Sequence, residues 1–580
     1  MEKGELKKLV DTAAGRVPAD LVVRNGRIAD VYSGAFIEGD LAVSGGLIAG
    51  IGRYEGVTVV DAEGQYVLPG FIDGHIHIES SYLSPEELGR LLVPHGTAAI
   101  IADPHEIVNV CGLGGLAYMR AAAAATALDI YFMAPSCVPA TPFEHAGAAL
   151  DAAALAVPMD REEVLGLGEF MNYPGVVNGD DPVLDKLLLA YRKGKLIDGH
   201  SPGLGGASLN AYTAARIHTD HECATVEEMR ERIARGMYVL LREGSACHDL
   251  RNLLPGVTTR NSRRCVLCSD DYQPRDILAN GHINHHLRVC VEEGLDPMTA
   301  IQMATINGAE CFRLYDRGAL APGLRADFSL TGSLKEFAIS RVFIGGKPAA
   351  EKGRYLPPVT RVDDSAVRGS FHVRDFSEER LVLPLKSSRV RVIDVRPGGV
   401  VTGRGVATVR RDSRGSFVHD PGGGVAKIAV VERHRNTGNV GLALIRGYGI
   451  RRGAIALSVA HDSHNIITVG VSDADMALAV ERLIEMEGGV ALVRDGAVLE
   501  EMPLPLGGIM SDQGGEWVDR KLVALHECCF DALGVERTVE PVMTLCFMSL
   551  AVIPELKITD MGLFDVTKFK FIPLEAEENE

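Results

Sequence analysis

The chain has 580 residues, more than one hydrophobic core usually supports, so we expect two or three domains. An apolar fraction of 46% and a charged fraction of 23% are ordinary for a folded protein and exclude a largely disordered chain. The formal net charge of −18 repels a phosphate backbone, which disfavours a nucleic-acid polymer as partner and favours a small neutral molecule.

Neither membrane insertion nor secretion is indicated. The N-terminal segment lacks the apolar core of a signal peptide, and the longest apolar stretch, residues 542–553, is shorter than the ~20 residues of a spanning helix. Eleven cysteines without disulfide-like spacing suit a reducing compartment, so we predict a cytoplasmic protein. The one Cys-x-x-Cys, at Cys265 and Cys268, has no second pair and predicts two buried strand residues.

Two kinds of pattern follow each other along the first half of the chain. Residues 19–65 alternate apolar and polar positions between Asn-Gly and Gly-Gly turns, which predicts short antiparallel strands joined by hairpins. From Tyr66 onwards, short apolar runs alternate with helical segments, which predicts βα units and a parallel sheet. Eight runs can be counted, the number that closes a barrel: QYVLPGFID, TAAIIAD, DIYFMAPS, VLGLGEF, KLIDGH, RIHTDH, MYVLLREG and RRCVLCSDD.

The helices between the runs carry start signals. Ser84, followed by Pro85 and Glu87, predicts a capping box with proline at the first helical position. Residues 316–360 are again strand-like and are expected to rejoin the N-terminal β region. We therefore predict an α/β protein with three parts: a (β/α)8 TIM-like barrel at 66–315, an adjoining small β-sandwich domain from 1–65 and 316–360, and a C-terminal α+β domain at 361–580.

Histidines and acids stand at the ends of most runs, where a barrel carries its catalytic groups. They are His75 and His77, Asp103 with His105 and Glu106 just beyond, Glu169, His200, His221 and Asp270. Because side chains alternate along a strand, the two imidazoles of His-x-His lie on one face and can ligate one metal. Together with the later run ends, this pair predicts a metal site.

The residue types limit the choice of metal ion, but they leave two ligand assignments open. Imidazoles with carboxylates suit Fe(II), Mn(II) or Zn(II), and Glu169 is the natural bridge between two ions. His218 competes with His221 on the same run. Asp271 competes with Asp270, and we favour Asp270 because it is the first acid after the apolar strand.

Seven segments resemble those of adenine deaminases, a family of the amidohydrolase superfamily, and they cover most of the chain: PGFIDGHIHIESS, IADPHEIVNVCG, GLGEFMN, IDGHSPGL, CSDDYQP, HDSHNIITVG and VIPELKITDMGLFDV. The resemblance implies a barrel with a β-sandwich and two divalent ions, Mn(II) or Fe(II) first and Zn(II) as a third candidate. It also implies ligand roles: His75 and His77 on one ion, Glu169 as the bridge, His200 and His221 on the other ion, and Asp270 as ligand and proton shuttle.

The activity implied by the resemblance is hydrolytic deamination of adenine to hypoxanthine and ammonia, in purine salvage. A bound metal ion lowers the pKa of water from ~15.7 to ~7, which supplies the nucleophile. Asp270 could take the proton of that water and pass it to the leaving nitrogen. Contacts to the purine edge are predicted among six polar residues: Glu79, Asp103, His105, Glu106, Arg242 and Glu243.

Other interpretations stay open. One is another amidohydrolase, such as an N-acetyl-sugar deacetylase or a different purine deaminase; another is a catalytically silent metal-binding relative, although the presence of Asp270 counts against it. The absence of the H-x-E and P-C-x-x-C pattern argues against the other zinc deaminase fold. His461, Asp462 and His464 could form either a polar turn or an active-site contact. We also expect a homo-oligomer, with no nucleic-acid polymer or membrane as partner.

Overall fold

A nine-stranded sheet draws its strands from two distant parts of the chain. The structure is a computed structural model that describes residues 1–396 and 400–577. After helix α1 (Lys3–Ala13), the first part contributes β1 (Ala19–Asp30), β2 (Ala35–Ser44), β3 (Leu47–Gly52), β4 (Gly56–Asp61) and β5 (Tyr66–Pro69). Strands β1, β2 and β3 are antiparallel neighbours, as the hairpin pattern predicts, whereas β4 and β5 lie parallel to β1.

Eight parallel strands follow, one in each predicted run. They are β6 (Phe71–His77), β7 (Thr97–Ala102), β8 (Asp129–Ala134), β9 (Val164–Phe170), β10 (Leu196–Gly199), β11 (Thr219–Asp220), β12 (Tyr238–Arg242) and β13 (Cys265–Cys268), with β14 (Asp270–Asp271) directly after the last. Strands β6 to β10 form one arc and β11 to β13 a second, and β14 pairs with β6. Between the arcs, the amide of His218 donates to the Ile197 carbonyl at 3.2 Å. This succession fits a TIM-like barrel.

Helices alternate with the barrel strands. They are α2 (Pro85–Leu92), α3 (His105–Ala123), α4 (Ala152–Ala156), α5 (Tyr173–Asn178), α6 (Asp181–Arg192), α7 (Gly206–Ala214), α8 (Val226–Ala234), α9 (Leu250–Leu253), α10 (Pro274–Asn280), α11 (Ile283–Glu292), α12 (Pro297–Met303) and α13 (Ile306–Cys311). Helix α2 begins at Pro85 as predicted, but the predicted capping box is wrong. The guanidinium of Arg361 binds both Ser84 Oγ and Glu87 Oε1, so neither side chain caps the helix.

The second part of the nine-stranded sheet follows the barrel. It consists of β15 (Phe328–Thr331), β16 (Ile339–Ile344), β17 (Lys347–Glu351) and β18 (Arg354–Tyr355), and β15 pairs antiparallel with β5. The first predicted run is therefore divided at Gly70, with β5 in this sheet and β6 in the barrel. A Cβ at Gly70 would stand 2.5 Å from the Cβ of Ala98 and 3.2 Å from that of Asp327, so only glycine fits where the two sheets meet.

The last part of the chain forms an eight-stranded sheet with helices, and two smaller sheets. Its strands are β19 (Arg389–Val395), β20 (Thr402–Thr408), β21 (Arg410–Arg411), β22 (Phe417–Val418), β23 (Val425–Val431), β24 (Val440–Arg446), β25 (Ala454–Leu457), β26 (Ile466–Gly470), β27 (Gly489–Arg494), β28 (Ala497–Pro503), β29 (Leu556–Thr559), β30 (Gly562–Asp565) and β31 (Lys570–Phe571). Its helices are α14 (Asp473–Glu485), α15 (Gly515–Cys528) and α16 (Pro541–Cys546). The large sheet runs in the order β20, β19, β24, β23, β26, β25, β27, β28.

This last part packs directly on the barrel. One hydrophobic cluster contains both Ile107 of α3 and Leu506, which follows β28, so the two parts share a core. Cys265 and Cys268 are free, buried residues of β13, which confirms the interpretation of the Cys-x-x-Cys pair. Within residues 1–396 and 400–577, no helix combines the length and the apolar character needed to cross a bilayer.

Candidate functional site

The two histidines at the end of β6 direct their Nε2 atoms at one point. His75 Nδ1 donates to Oδ2 of Asp198 at 2.9 Å, and His77 Nδ1 donates to the carbonyl oxygen of Asp103 at 2.9 Å. In the neutral rings each Nε2 therefore carries a lone pair, and the two Nε2 atoms are 3.2 Å apart. Two lone pairs this close repel each other unless a cation lies between them, so the pair fits a metal ion.

Three more side chains bring donor atoms to the same place. Oδ1 of Asp270 lies 3.1 Å from His77 Nε2, and Oε1 of Glu169 lies 3.2 Å from the same nitrogen. His221 Nε2 lies 3.3 Å from Glu169 Oε2. All of these residues are buried, and two overlapping groups among them could each hold an ion: His75 with His77 and Asp270, and His75 with Glu169 and His221. Imidazole nitrogens with carboxylate oxygens fit a divalent transition metal.

Glu169 lies between the two sets of histidines. Its Oε1 faces His77, while its Oε2 accepts a hydrogen bond from His200 Nδ1 at 2.7 Å and faces His221. Burial opposes ionisation, but the charge of His200 and its hydrogen bond to Oε2 hold the pKa of Glu169 well below its usual range. An ionised carboxylate whose two oxygens face different histidines suits the predicted bridging role.

The structure separates the two pairs of residues between which the sequence left the choice of ligand open. His218 directs Nδ1 at the Ile197 carbonyl, 3.1 Å away, and Nε2 at the Cys311 carbonyl, 3.3 Å away, so its ring is engaged with backbone rather than with the donor cluster. Asp271 accepts a hydrogen bond from Ser80, whereas Asp270 faces His77. Both arrangements favour His221 and Asp270 as the residues of the site.

Above the donor cluster lies a cavity of about 540 Å³. Three of the six predicted purine contacts are among the residues that line it: His105, Glu106 and Arg242. The other three have roles beside the cavity: Glu79 accepts from the Ile107 amide at 3.1 Å, Asp103 from the Glu169 amide at 2.8 Å, and Glu243 faces His248 Nδ1 at 2.9 Å.

Arg242 is committed to carboxylates rather than free to meet a ligand. Its Nη1 donates to Oδ2 of Asp270 at 2.9 Å, its Nη2 to Oδ2 of Asp249 at 2.9 Å, and it also pairs with Glu222. The guanidinium therefore holds one oxygen of Asp270 and leaves the other facing the histidines.

Comparison with known proteins covers both halves of the chain. Residues 66–349 match the Amidohydrolase family, and residues 399–570 match the Adenine deaminase C-terminal domain. The chain is 62% identical over 576 residues to "Adenine deaminase 2" of Desulfotalea psychrophila, which covers 99% of this chain and 100% of that relative. The chain belongs to the adenine deaminase family.

Other adenine deaminases agree over the same length. "Adenine deaminase" of Nitratidesulfovibrio vulgaris is 53% identical over 566 residues, covering 98% of each chain. That of Ligilactobacillus salivarius is 51% identical over 578 residues, covering 100% of each chain. The resemblance found from the sequence segments is thereby confirmed.

Several functional residues were not found from the sequence. Asp198, which orients His75, stands two positions before His200 on a buried strand, and an acid inside an apolar run was an available signal. Glu222 directly follows His221 and lines the cavity. The adenine deaminase C-terminal domain supplies the opposite wall of the cavity. His461 and Asp462 line it, in agreement with the active-site alternative that the sequence left open for them. No local pattern indicates the other eight residues of this wall: Val400, Val401, Phe547, Leu550, Val552, Ile553, Pro554 and Val566.

Asp198→Asn should weaken metal binding by about 10- to 100-fold, because the carboxylate fixes the tautomer and orientation of His75. Titration of the apo protein against a competing chelator measures the change. Asp560→Asn is the matched control, since Asp560 also pairs with a histidine, His145, at 2.6 Å but away from the donor cluster. Equal metal affinity in Asp198→Asn and wild type would contradict the role of Asp198 in positioning His75 for a metal ion.

Proposed function

We propose that this protein deaminates adenine hydrolytically to hypoxanthine and ammonia, in purine salvage. The observation that carries the proposal is the similarity to "Adenine deaminase 2" of Desulfotalea psychrophila over 99% of the chain. That similarity includes both the barrel with its buried donor cluster and the C-terminal part that lines the cavity.

The cavity supports a small, flat and neutral substrate. Its volume of about 540 Å³ lies within the range typical of small-molecule sites. Polar groups of the barrel form one side, and the apolar side chains of Phe547, Leu550 and Ile553 form the other. A purine base has this combination of an apolar face and a polar edge.

We propose that six residues hold two divalent metal ions, Mn(II) or Fe(II) first, with Zn(II) as a third candidate: His75, His77, Glu169, His200, His221 and Asp270. The buried, convergent lone pairs of His75 and His77 support this assignment. A divalent ion in such a site makes water acidic enough to act as a nucleophile near neutral pH.

The chain's own residues then move the protons. Arg242 holds Oδ2 of Asp270, and Oδ1 is directed towards His77 Nε2 and the centre of the site. In our proposal, Asp270 Oδ1 takes a proton from the attacking water and delivers it to the departing amino nitrogen. Glu169 lies between the two sets of histidines and would hold both in place. His105 remains a proposed purine contact from the barrel, whereas both oxygens of Glu106 are bound by His461 and His464.

Release of ammonia together with hypoxanthine in equal amounts tests the activity. Protein purified without oxygen and analysed for metal should turn over adenine and leave adenosine, guanine and cytosine largely unchanged. Acetate release from an N-acetylated sugar without adenine turnover would instead identify a deacetylase. Metal-replete, folded protein with no turnover on any of these compounds would identify a silent metal-binding relative.

We also propose a domain division, a cellular location and an oligomeric state. They are the division into a composite β-sandwich domain (1–65 and 316–360), a barrel (66–315) and a C-terminal α+β domain (361–580), together with a cytoplasmic location and a homo-oligomer. The pairing of β15 with β5 supports the composite domain.

A further inference from the structure

One histidine of the C-terminal part reaches the cavity that the barrel opens into. His461 lies in the turn between β25 and β26, lines the cavity, and directs Nδ1 at Oε1 of Glu106. Its ring stacks on Phe547 with centroids 4.6 Å apart, and its carbonyl accepts a hydrogen bond from Ser549 Oγ at 3.1 Å. Two of these contacts hold the imidazole in one orientation, and the third fixes the backbone that carries it.

Glu106 is itself held by a second histidine of the same turn. The amide of Ala460 donates to Nδ1 of His464 at 3.1 Å, so the proton of that ring lies on Nε2. His464 Nε2 then donates to Oε2 of Glu106. Burial lowers the pKa of His464 to about 4, which keeps this ring neutral and its tautomer fixed. Each oxygen of Glu106 is thus bound by one histidine of the C-terminal part.

This chain of hydrogen bonds leaves one atom of His461 for a ligand. Nδ1 is used by Glu106, and no side chain or carbonyl within residues 1–396 and 400–577 hydrogen-bonds Nε2. Burial alone would lower the pKa of His461, but the charge of Glu106 raises it to about 9, so both ring nitrogens carry protons near neutral pH. A fixed N–H donor at the wall of the cavity is suited to an acceptor nitrogen of a purine ring.

We propose that His461 contacts the substrate directly by donating a hydrogen bond from Nε2 to a ring nitrogen of the purine, with Glu106 and His464 as the residues that position it. This inference rests on the adenine deamination proposed above. It makes the C-terminal part of the chain one half of the active site and assigns it to recognition, while the barrel carries the hydrolytic groups.

The same three residues could be taken for a metal site, because their donor atoms lie close together. The hydrogen bond from the Ala460 amide argues against this, since it requires the proton of His464 on the nitrogen that would have to bind the ion. A cation at this place would also compete with the hydrogen bond from His461 to Glu106.

Kinetics of metal-loaded full-length protein give the first test. His461→Ala should lower kcat/KM for adenine by about 10- to 100-fold, the loss of one hydrogen bond from a charged donor, and leave the metal content unchanged. His145→Ala is the matched control, because His145 also lies between the barrel and the C-terminal part, bonded to Asp560 and outside the cavity lining. It should stay within a few-fold of wild type. Equal losses of kcat/KM in both variants would contradict substrate contact and show that His461 only stabilises the contact between the barrel and the C-terminal part.

Inhibition by 1-, 3- and 7-deazaadenine gives the sharper test, since each analogue replaces one ring nitrogen by a C–H group that cannot accept a hydrogen bond. Wild type should bind one of the three at least about 10-fold more weakly than the other two, and His461→Ala should lose that difference. A difference that persists unchanged in His461→Ala, or no difference in wild type, would overturn the proposal. Glu106→Ala combined with His461→Ala should cost less than the sum of the single changes.

The outcomes also separate this inference from the function on which it rests. If wild type releases no ammonia from adenine, the proposed function fails, and the inference fails with it. If wild type deaminates adenine but shows no coupling between His461 and a ring nitrogen, only the inference fails. If the protein binds a third metal ion per chain and His464→Ala loses it, then Glu106, His461 and His464 form a cation site and the proposed hydrogen-bond chain is wrong.

Discussion

Replacing Asp270 by asparagine should lower kcat for adenine by about 100- to 10,000-fold while the bound metal is retained. Asparagine keeps the size of the side chain and one coordinating oxygen, but it has no basic carboxylate to accept the proton of the attacking water. With its oxygen in the Oδ1 position, the asparagine loses the hydrogen bond from Arg242, whose guanidinium stays paired with Asp249 and Glu222. The measurement is kcat and metal content side by side on the same preparation.

Asp271→Asn is the matched control for this result. Asp271 is the next residue and is bonded to Ser80 rather than directed at His77. We expect it to retain most of the activity. A metal-replete Asp270→Asn protein that works at a rate near wild type would end the shuttle assignment, and a selective collapse in Asp271→Asn would move the role to that residue.

His221→Ala should lose bound metal and at least about 100-fold of activity, because a ligand contributes no less than the groups that orient it. His218→Ala is a matched control from the same run of the chain. Its ring engages two backbone carbonyls, so its loss should affect folding stability rather than metal content. Elemental analysis of both purified variants measures the difference. Full metal content in folded His221→Ala would remove His221 from the ligand set.

The sequence was sufficient to predict the barrel strands because their signal is local. Each run combines buried apolar residues with an abrupt polar end, and every one of the eight runs contains a strand in the structure. The division of the first run at Gly70 was not predictable in the same way. It depends on the approach of Ala98 and Asp327 from elsewhere in the chain.

Local signals also failed where a distant partner competed for the same atoms. The capping box at Ser84 and Glu87 is a sound local pattern, but Arg361 from beyond the barrel binds both side chains. Likewise, His221 and His218 are equivalent as residue types on one run. Only the positions of Glu169 and of the Ile197 and Cys311 carbonyls distinguish their surroundings.

The sequence by itself determined the family, the eight strands and the residue types of the site, since periodicity and motif spacing are local properties defined by a few neighbouring residues. The tertiary structure alone decided three things: the tautomers of His75 and His77, the carboxylate oxygens that face each histidine, and the part of the C-terminal region that covers the barrel. The physical reason is that a hydrogen bond or a cavity wall depends on distances between atoms. Glu106 and His461 are separated by 355 positions, and no pattern along the chain brings them together.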